Sequence, residues 1–341
     1  MSAARRPTPT AGEAALLAAL EASPVRGSAR ARDLIAEHGL PTRRNEAWRW
    51  SDLRQALTED VALPKPNPQA DAVYRDKALF APAGDIIAEL AIGFGRDRAF
   101  KLPAGQTNMV VEELEGDATF DPRFLDIEVG EGASLTRVVT QTSAGVCLSS
   151  ARVRVAKGGA FRQFVFAEGA KLARIETHVT AEEGAKIEIN GLYLAHDGRH
   201  VDLTSTIHHR GRGAETRQLI KGAAFKGSRS VFQGKIVVDQ AAQQTDARQH
   251  HRGLLLEDGA EIFAKPELMI YADDVQCAHG NTAGGLDESA LFYMRSRGIP
   301  AAQARAMLIE AFLLEAVPEH LDPAFRDLLA SRVRTLLSAR I

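Results

Sequence analysis

The spacing of apolar and polar positions changes character along the chain and divides it into three. From about residue 84 to 282 short runs alternate: ARVRVAK sets Ala151, Val153 and Val155 against Arg152, Arg154 and Lys157, and KIEIN repeats this with Ile187 and Ile189. Alternation with period two predicts strands that bury one face. Gly-Ala pairs end the runs at Gly132-Ala133, Gly159-Ala160, Gly184-Ala185 and Gly213-Ala214, spaced by 27, 25 and 29, with Gly259-Ala260 46 further on; Gly169-Ala170 falls out of step. A repeat in the twenties, with strands and glycine corners, suits a β-solenoid with one rung per repeat. A β-sandwich also spaces short strands regularly, so the pattern alone leaves both open. No helical period is visible across this stretch.

Both flanks read as helical. Glu13 to Glu21 is rich in Ala and Leu, and Ser28 stands where it can cap a second helix through His38, ended by Gly39. Pro41 opens PTRRNEAWRWSDL, which holds the two tryptophans, Trp48 and Trp50. They read either as anchors onto the body of the protein or as a docking peptide for a partner. Pro64, Pro66 and Pro68 make an extended linker. After Gly285 the period turns helical: Asp287 caps Glu288 to Arg297, Pro300 opens Ala301 to Val317, and Pro323 opens a last helix with the stripe Phe325, Leu328, Leu329, Val333, Leu336 and Leu337. The helix from Ala301 is apolar on two faces. Ala304, Met307, Leu308, Ala311 and Phe312 lie on one; Ala306, Ile309, Leu313 and Val317 lie on the other. Two apolar faces need two partners, the chain itself and a second protein. The expected organisation is a helical region over 1–62, a Pro-rich linker over 63–83, a β core over 84–284 and a helical domain over 285–341.

Composition narrows the function classes. A net charge of −2 gives no electrostatic case for nucleic acid or an anionic membrane. The run AALLAAL is too short for a signal peptide, and no apolar run approaches the roughly 20 residues that span a bilayer. Two cysteines, Cys147 and Cys277, imply no disulfide framework and fit a reducing, cytoplasmic setting.

Candidate chemistry concentrates in Lys265 to Gly298, where the β pattern gives way to helix. Cys277 and His279 stand two apart, so on an extended segment both side chains share one face. Thiolate and imidazole suit iron or zinc, but two ligands do not close a site, and a second chain would supply the rest. The alternative is a small buried Cys beside a hydrogen-bonded His. The pairs His208-His209 and His250-His251 point to opposite faces of a strand and cannot chelate as units. Asp273-Asp274 reads as a solvated strand end. Gly284-Gly285 lacks the Lys-Ser/Thr of a nucleotide loop, and no Gly-x-Ser-x-Gly occurs. These residues read as a scaffold or assembly protein rather than an enzyme.

The segment Gln243 to Ile299 resembles the signature of the SufB/SufD family in QQTDARQ, in KPEL-x-IYADDV-x-C-x-HG-x-T and in LD-x-x-x-LFY-x-RSRGI; GLPTRRNEAWRWSDL, Gly39 to Leu53, resembles the N-terminal region of its SufD branch. Length and a count of two cysteines favour that branch over SufB. The resemblance implies a mainly β fold, a right-handed parallel β-helix (β-solenoid) core between N- and C-terminal helical regions. It implies a non-catalytic subunit of a SufBCD iron–sulfur cluster assembly complex, pairing with a SufB-like protein through the β-helix ends and docking a SufC-like ATPase on its C-terminal helices. No cofactor is expected to be held tightly by the isolated chain; a transient iron–sulfur cluster forms near the SufB interface, with His279 and Cys277 as ligand candidates. Met307, Ile309, Phe312 and Leu313 are the expected ATPase-docking positions, and an exposed β-helix end lets the lone chain form a homodimer. Competing classes are a carbohydrate-active β-helix enzyme, against which stand the low aromatic content and the absence of a signal peptide, and a purely structural homodimer in which His279 has no cluster role.

Overall fold

Strands whose side chains alternate between core and solvent need neighbours on both edges. Here the chain supplies them by coiling. A computed structural model describes residues 8–68, 85–116 and 119–341. One parallel sheet takes every second strand: β1 (Asp97–Leu102), β3 (Phe120–Val129), β5 (Val146–Val155), β7 (Leu172–Ala181), β9 (His200–His209), β11 (Arg229–Val238) and β13 (Glu261–Ile270). The other takes β2 (Thr107–Leu114), β4 (Ser134–Gln141), β6 (Ala160–Ala167), β8 (Lys186–Ala195), β10 (Glu215–Ala224), β12 (Asp246–Leu255) and β14 (Gln276–Gly284). Each strand pairs with the strand two later, from Phe120↔Val146, a step of 26, to Arg229↔Glu261, a step of 32. The result is a parallel β-solenoid of about seven turns, which decides against the sandwich.

The register also explains the untidy glycine period. Gly132-Ala133, Gly184-Ala185 and Gly213-Ala214 turn the chain from the odd-numbered sheet to the even-numbered one, whereas Gly169-Ala170 and Gly259-Ala260 turn it back. Two corner series run side by side, and Gly259 belongs to the second. At the first corner Gly184 (φ 64°) and Gly213 (φ 68°) adopt the left-handed conformation that favours glycine, and the alanine that follows each is fully buried.

The interior is apolar towards the first corner, with Val153, Val155, Phe161, Ile187 and Ile236 sealed from water. The outer faces are covered by the terminal helices. α1 (Ala11–Glu21) and α2 (Ser28–His38) pack with α4 (Ile86–Gly93) against Phe120, Val146, Leu148 and Leu172 of the odd sheet. α6 (Ala301–Leu314) and α7 (Pro323–Ser338) cover Phe164, Phe166, Leu192 and Leu194 of the even sheet. Between them in the chain lie the short helix α3 (Leu53–Ala56) and α5 (Glu288–Ser296).

Three expectations change. α4 interrupts the stretch read as all strand. Asp85 caps it by accepting from the Ala88 N–H, and it is buried nearly all round, so no amphipathic period marks it. Gly27, not Ser28, is the N-cap of α2; the Ser28 hydroxyl donates to Ser23 O instead. Leu328 of the last stripe stays 65% exposed while Leu329, Val333, Leu336 and Leu337 are buried. The linker expected over 63–83 falls mostly on residues outside those described.

Trp48 and Trp50 act as anchors. Trp48 is buried with the Arg174 guanidinium 4.0 Å from its ring centre, and Trp50 stacks on Phe263 of β13 at 5.8 Å. Ser51, next after Trp50, is buried and donates to Asp202 at 2.6 Å. No described helix is long and apolar enough to cross a membrane.

Candidate functional site

Every strand in the middle of the solenoid has a neighbour on each side. β13 and β14 do not: they are the last members of their sheets and leave one backbone edge open. Pro266 sits within β13, where a missing N–H is tolerated because the strand is at the edge.

β14 pairs with β12 in the register Ala247↔Cys277, Gln249↔His279 and His251↔Asn281. Ala247, Gln249 and His251 point inward and are buried, so Cys277, His279 and Asn281 share the interior face. Among the described residues no further rung covers them. Cys277 packs at the margin of the apolar interior and is half-buried; His279 is exposed, and among the described residues its ring makes no hydrogen bond or ion pair. Burial raises the Cys277 thiol above its usual value, with the Asp246 carboxylate adding to this and a backbone hydrogen bond at Ala247 opposing it. Cys147 is a different thiol. It is sealed inside, and burial pushes it up to about 12, which makes it a core residue.

The rung beneath is held by polar contacts inside the fold. His251 stacks on Phe232 at 5.0 Å, accepts through Nε2 from the Tyr193 hydroxyl at 2.9 Å, and meets Asn281 Oδ1 through Nδ1 at 2.7 Å. Burial lowers its pKa to about 4, so the ring is neutral near pH 7; with Asn281 Oδ1 accepting, Nδ1 carries the proton. Gln249 donates to Gly234 O at 3.2 Å, but its Oε1 is buried with no partner among the described residues. It lies next to His279 in register. The sequence sets His250 and His251 on opposite faces but gives no sign of Asn281; the inward phase of β12 and β14 is what joins His251 to it.

The residues flanking this rung are exposed and apolar. Met269 and Ile270 end β13 and Tyr271 follows it, Phe292 is 73% and Tyr293 58% exposed, and α5 buries no residue at all. The four positions expected to dock a partner on α6 separate. Ile309 and Leu313 are fully buried against the chain's own sheet and are not available as a surface. Phe312 is partly buried, with Lys221 Nζ 4.3 Å from its ring centre, and Met307 is exposed. The helix has the two apolar faces that its sequence shows: the face of Ala306, Ile309, Leu313 and Val317 is spent on its own protein, whereas on the other only Ala304 is buried and Met307 and Ala311 are exposed. His208 and His250 point outward while His209 and His251 are buried, as alternation requires, and Asp273 and Asp274 are exposed.

A family model described as SUF system FeS cluster assembly, SufBD core domain, matches residues 101–312. An iron–sulfur cluster assembly SufBD family protein of Synechocystis is 37% identical over 218 residues, 63% of this chain and 47% of that protein. A SufBD family protein of Mycobacterium tuberculosis is 27% identical over 313 residues, 88% of this chain and 75% of the relative. The iron–sulfur cluster assembly protein SufD of Escherichia coli is 36% identical over 151 residues, 44% of this chain and 36% of that protein. The aligned part thus spans about half of the cyanobacterial relative and about a third of the enterobacterial one. The matched stretch 101–312 includes the open rung and most of α6.

Proposed function

The chain belongs to the SufBD core family of the SUF iron–sulfur cluster assembly system, and on that premise we propose that it is a non-catalytic scaffold subunit that offers Cys277 and His279 to a nascent cluster at a shared interface. One observation carries the reading. The family segment ends the solenoid with a thiol and an imidazole on the same inward face, uncapped, beside an open strand edge.

Both donors suit iron, but they fill only part of a cluster's coordination. The remaining ligands come from a SufB-like protein seated on the open end, where it pairs with the β13–β14 edge and covers Tyr271, Phe292 and Tyr293. The unpartnered Gln249 Oε1 supports His279 as a ligand, because a buried acceptor there can take one ring N–H and leave the other nitrogen for metal. A SufC-like ATPase docks on the C-terminal helices at Met307 and the neighbouring rim of Phe312. Its two nucleotide states bind this surface differently and so move the helices on the even sheet. The setting is cytoplasmic. When the partner is absent, two copies pair through the same open edges, which light scattering reads directly.

The test is co-expression with SufB-like and SufC-like chains, anaerobic purification, and assay of iron and sulfide. The expected result is a three-component complex that carries both, with iron loading reduced by His279→Ala while the complex stays assembled. Unchanged loading in that variant removes His279 as a ligand. A chain that purifies alone removes the scaffold reading.

A further inference from the structure

A second group of metal-binding side chains lies far from the open rung, on the outer face of the odd sheet. Asp85 is the cap of α4, and Glu176 and His178 lie two apart on β7 and share its outward face. One donor atom from each lies within 4.8 Å of the others. His178 Nε2 is 3.2 Å from Glu176 Oε2. Asp85 is held by the Ser150 hydroxyl, which donates to Oδ2 at 2.7 Å, and by the Ala88 N–H at 2.9 Å. Glu176 Oε1 accepts from Arg174, so Oε2 faces the group. Asp85 and Glu176 are largely buried, and the His178 side chain is 35% exposed, which leaves an approach from solvent.

Arg174 answers two carboxylates at once, contacting both Glu176 and Asp202. Asp85 forms no ion pair with Lys or Arg among the described residues and is held by the Ser150 hydroxyl and the Ala88 N–H. A divalent cation in the middle of the group binds all three donors and gives Asp85 a counter-charge.

We propose that Asp85, Glu176 and His178 bind one divalent transition-metal ion, which ties the start of α4 to β7 and so fastens the N-terminal helices onto the solenoid. An imidazole with two carboxylates suits Zn(II), Co(II), Mn(II) or Fe(II), whereas Mg(II) and Ca(II) take oxygen ligands. Binding displaces the His178–Glu176 hydrogen bond and any proton His178 carries. The site owes nothing to the cluster role of the open rung.

Co(II) is the probe, because its visible bands report coordination. The full chain is titrated in a Cys277→Ser/His279→Ala background, which removes the other metal-binding pair. One equivalent per chain is expected, with visible bands and a raised thermal midpoint. Asp85→Asn and His178→Gln should each weaken Co(II) binding at least 10-fold, and Mg(II) should not compete. His178 is partly exposed, so His178→Gln stays informative if Asp85→Asn does not fold. No Co(II) bound in this background, or unchanged affinity in His178→Gln, overturns the proposal. Loss of cluster loading in the same background leaves the two readings distinguishable.

Discussion

Replacing Arg137 by Met removes a guanidinium from the interior of the solenoid. Arg137 is 0% exposed and sits on β4. Its Nε meets Glu112 on β2, one terminal nitrogen donates to Gln163 on β6 at 2.7 Å and to Thr177 on β7 at 3.3 Å, and the other donates to Ser149 on β5 at 3.0 Å. Four strands from both sheets therefore meet on one side chain. Met fills much of the space but offers no donor. Glu112, 13% exposed, is left as a buried carboxylate without its counter-charge, and Gln163 Oε1 keeps only the Thr177 hydroxyl. Removing one partner of a buried ion pair costs about 3–5 kcal/mol. With an unfolding entropy of roughly 2 cal/mol/K per residue, that lowers the thermal midpoint by about 4–7 °C if the whole chain unfolds together, and by about 8–12 °C if the solenoid unfolds alone. Differential scanning calorimetry gives the midpoint. Arg137→Lys should fall between, because one ammonium cannot reach Glu112, Gln163 and Ser149 together. Arg137→Met combined with Glu112→Gln should recover part of the loss, since it removes the stranded charge. Lys157→Met, which breaks an exposed pair with Glu183, is the control and should leave the midpoint unmoved. A midpoint for Arg137→Met at or above that of the wild type would refute the reasoning, because it would mean that packing outweighs the stranded carboxylate.

Two further outcomes follow from single contacts. Glu168, at a solenoid corner, takes a two-pronged contact from Arg332 of α7 at 2.6 and 2.9 Å; burial raises its pKa, but the Arg332 pair and His196 3.9 Å away outweigh this and hold it below its usual value. A lowered carboxyl stabilises fully above its unfolded pKa, near 4.3, and the effect fades as pH falls through the lower folded value. Docking of α7 should therefore weaken below about pH 4, and amide exchange of α7 that is as slow at pH 3 as at pH 6, after correction for the intrinsic rate, would contradict this. Alkylation by iodoacetamide at pH 8 should modify Cys277 in the native chain and Cys147 only after unfolding, giving one adduct and then two by mass spectrometry; early modification of Cys147 would show that the core opens there.

What the sequence discloses depends on how many faces of an element are covered. Ala151 to Val155 alternates cleanly because one face of that part of β5 meets solvent, so its phase can be read directly. The second half of β8, from Gly191 to Ala195, is buried throughout because α6 and α7 lie over it, and alternation disappears with the solvent. The same cause hides α4, which is apolar on every side; the Asp85 cap was its one readable sign. That Cys277 and His279 share one face follows from their spacing; that this face is the inward one comes from their register against buried Ala247 and Gln249. That Gln249 lies next to His279, or that Asp85 meets Glu176 and His178, depends on rung lengths of 26 to 32 residues set by corner loops of unequal size, and no local pattern encodes those lengths.

The inward column that ends at His279 makes this physical. From β4 to β14 it runs Arg137, Gln163, Ile189, Gln218, Gln249, His279. A polar residue at a position phased to the core looks like an error in the pattern when the strands are read singly. Stacked, these residues meet partners from the facing sheet: Gln163 meets Thr177 at 3.0 Å, and Gln218 meets Ser205 at 2.8 Å. Each polar side chain inside is acceptable because a neighbouring strand answers it. The column fails at its last two members, where Gln249 keeps a free acceptor and His279 faces open space. His209 Nδ1 and Ser230 Oγ also lack partners among the described residues, but both residues are sealed from water, whereas the last rung leaves an acceptor, an imidazole and a thiol beside open space, and that is where the proposed second molecule can reach them.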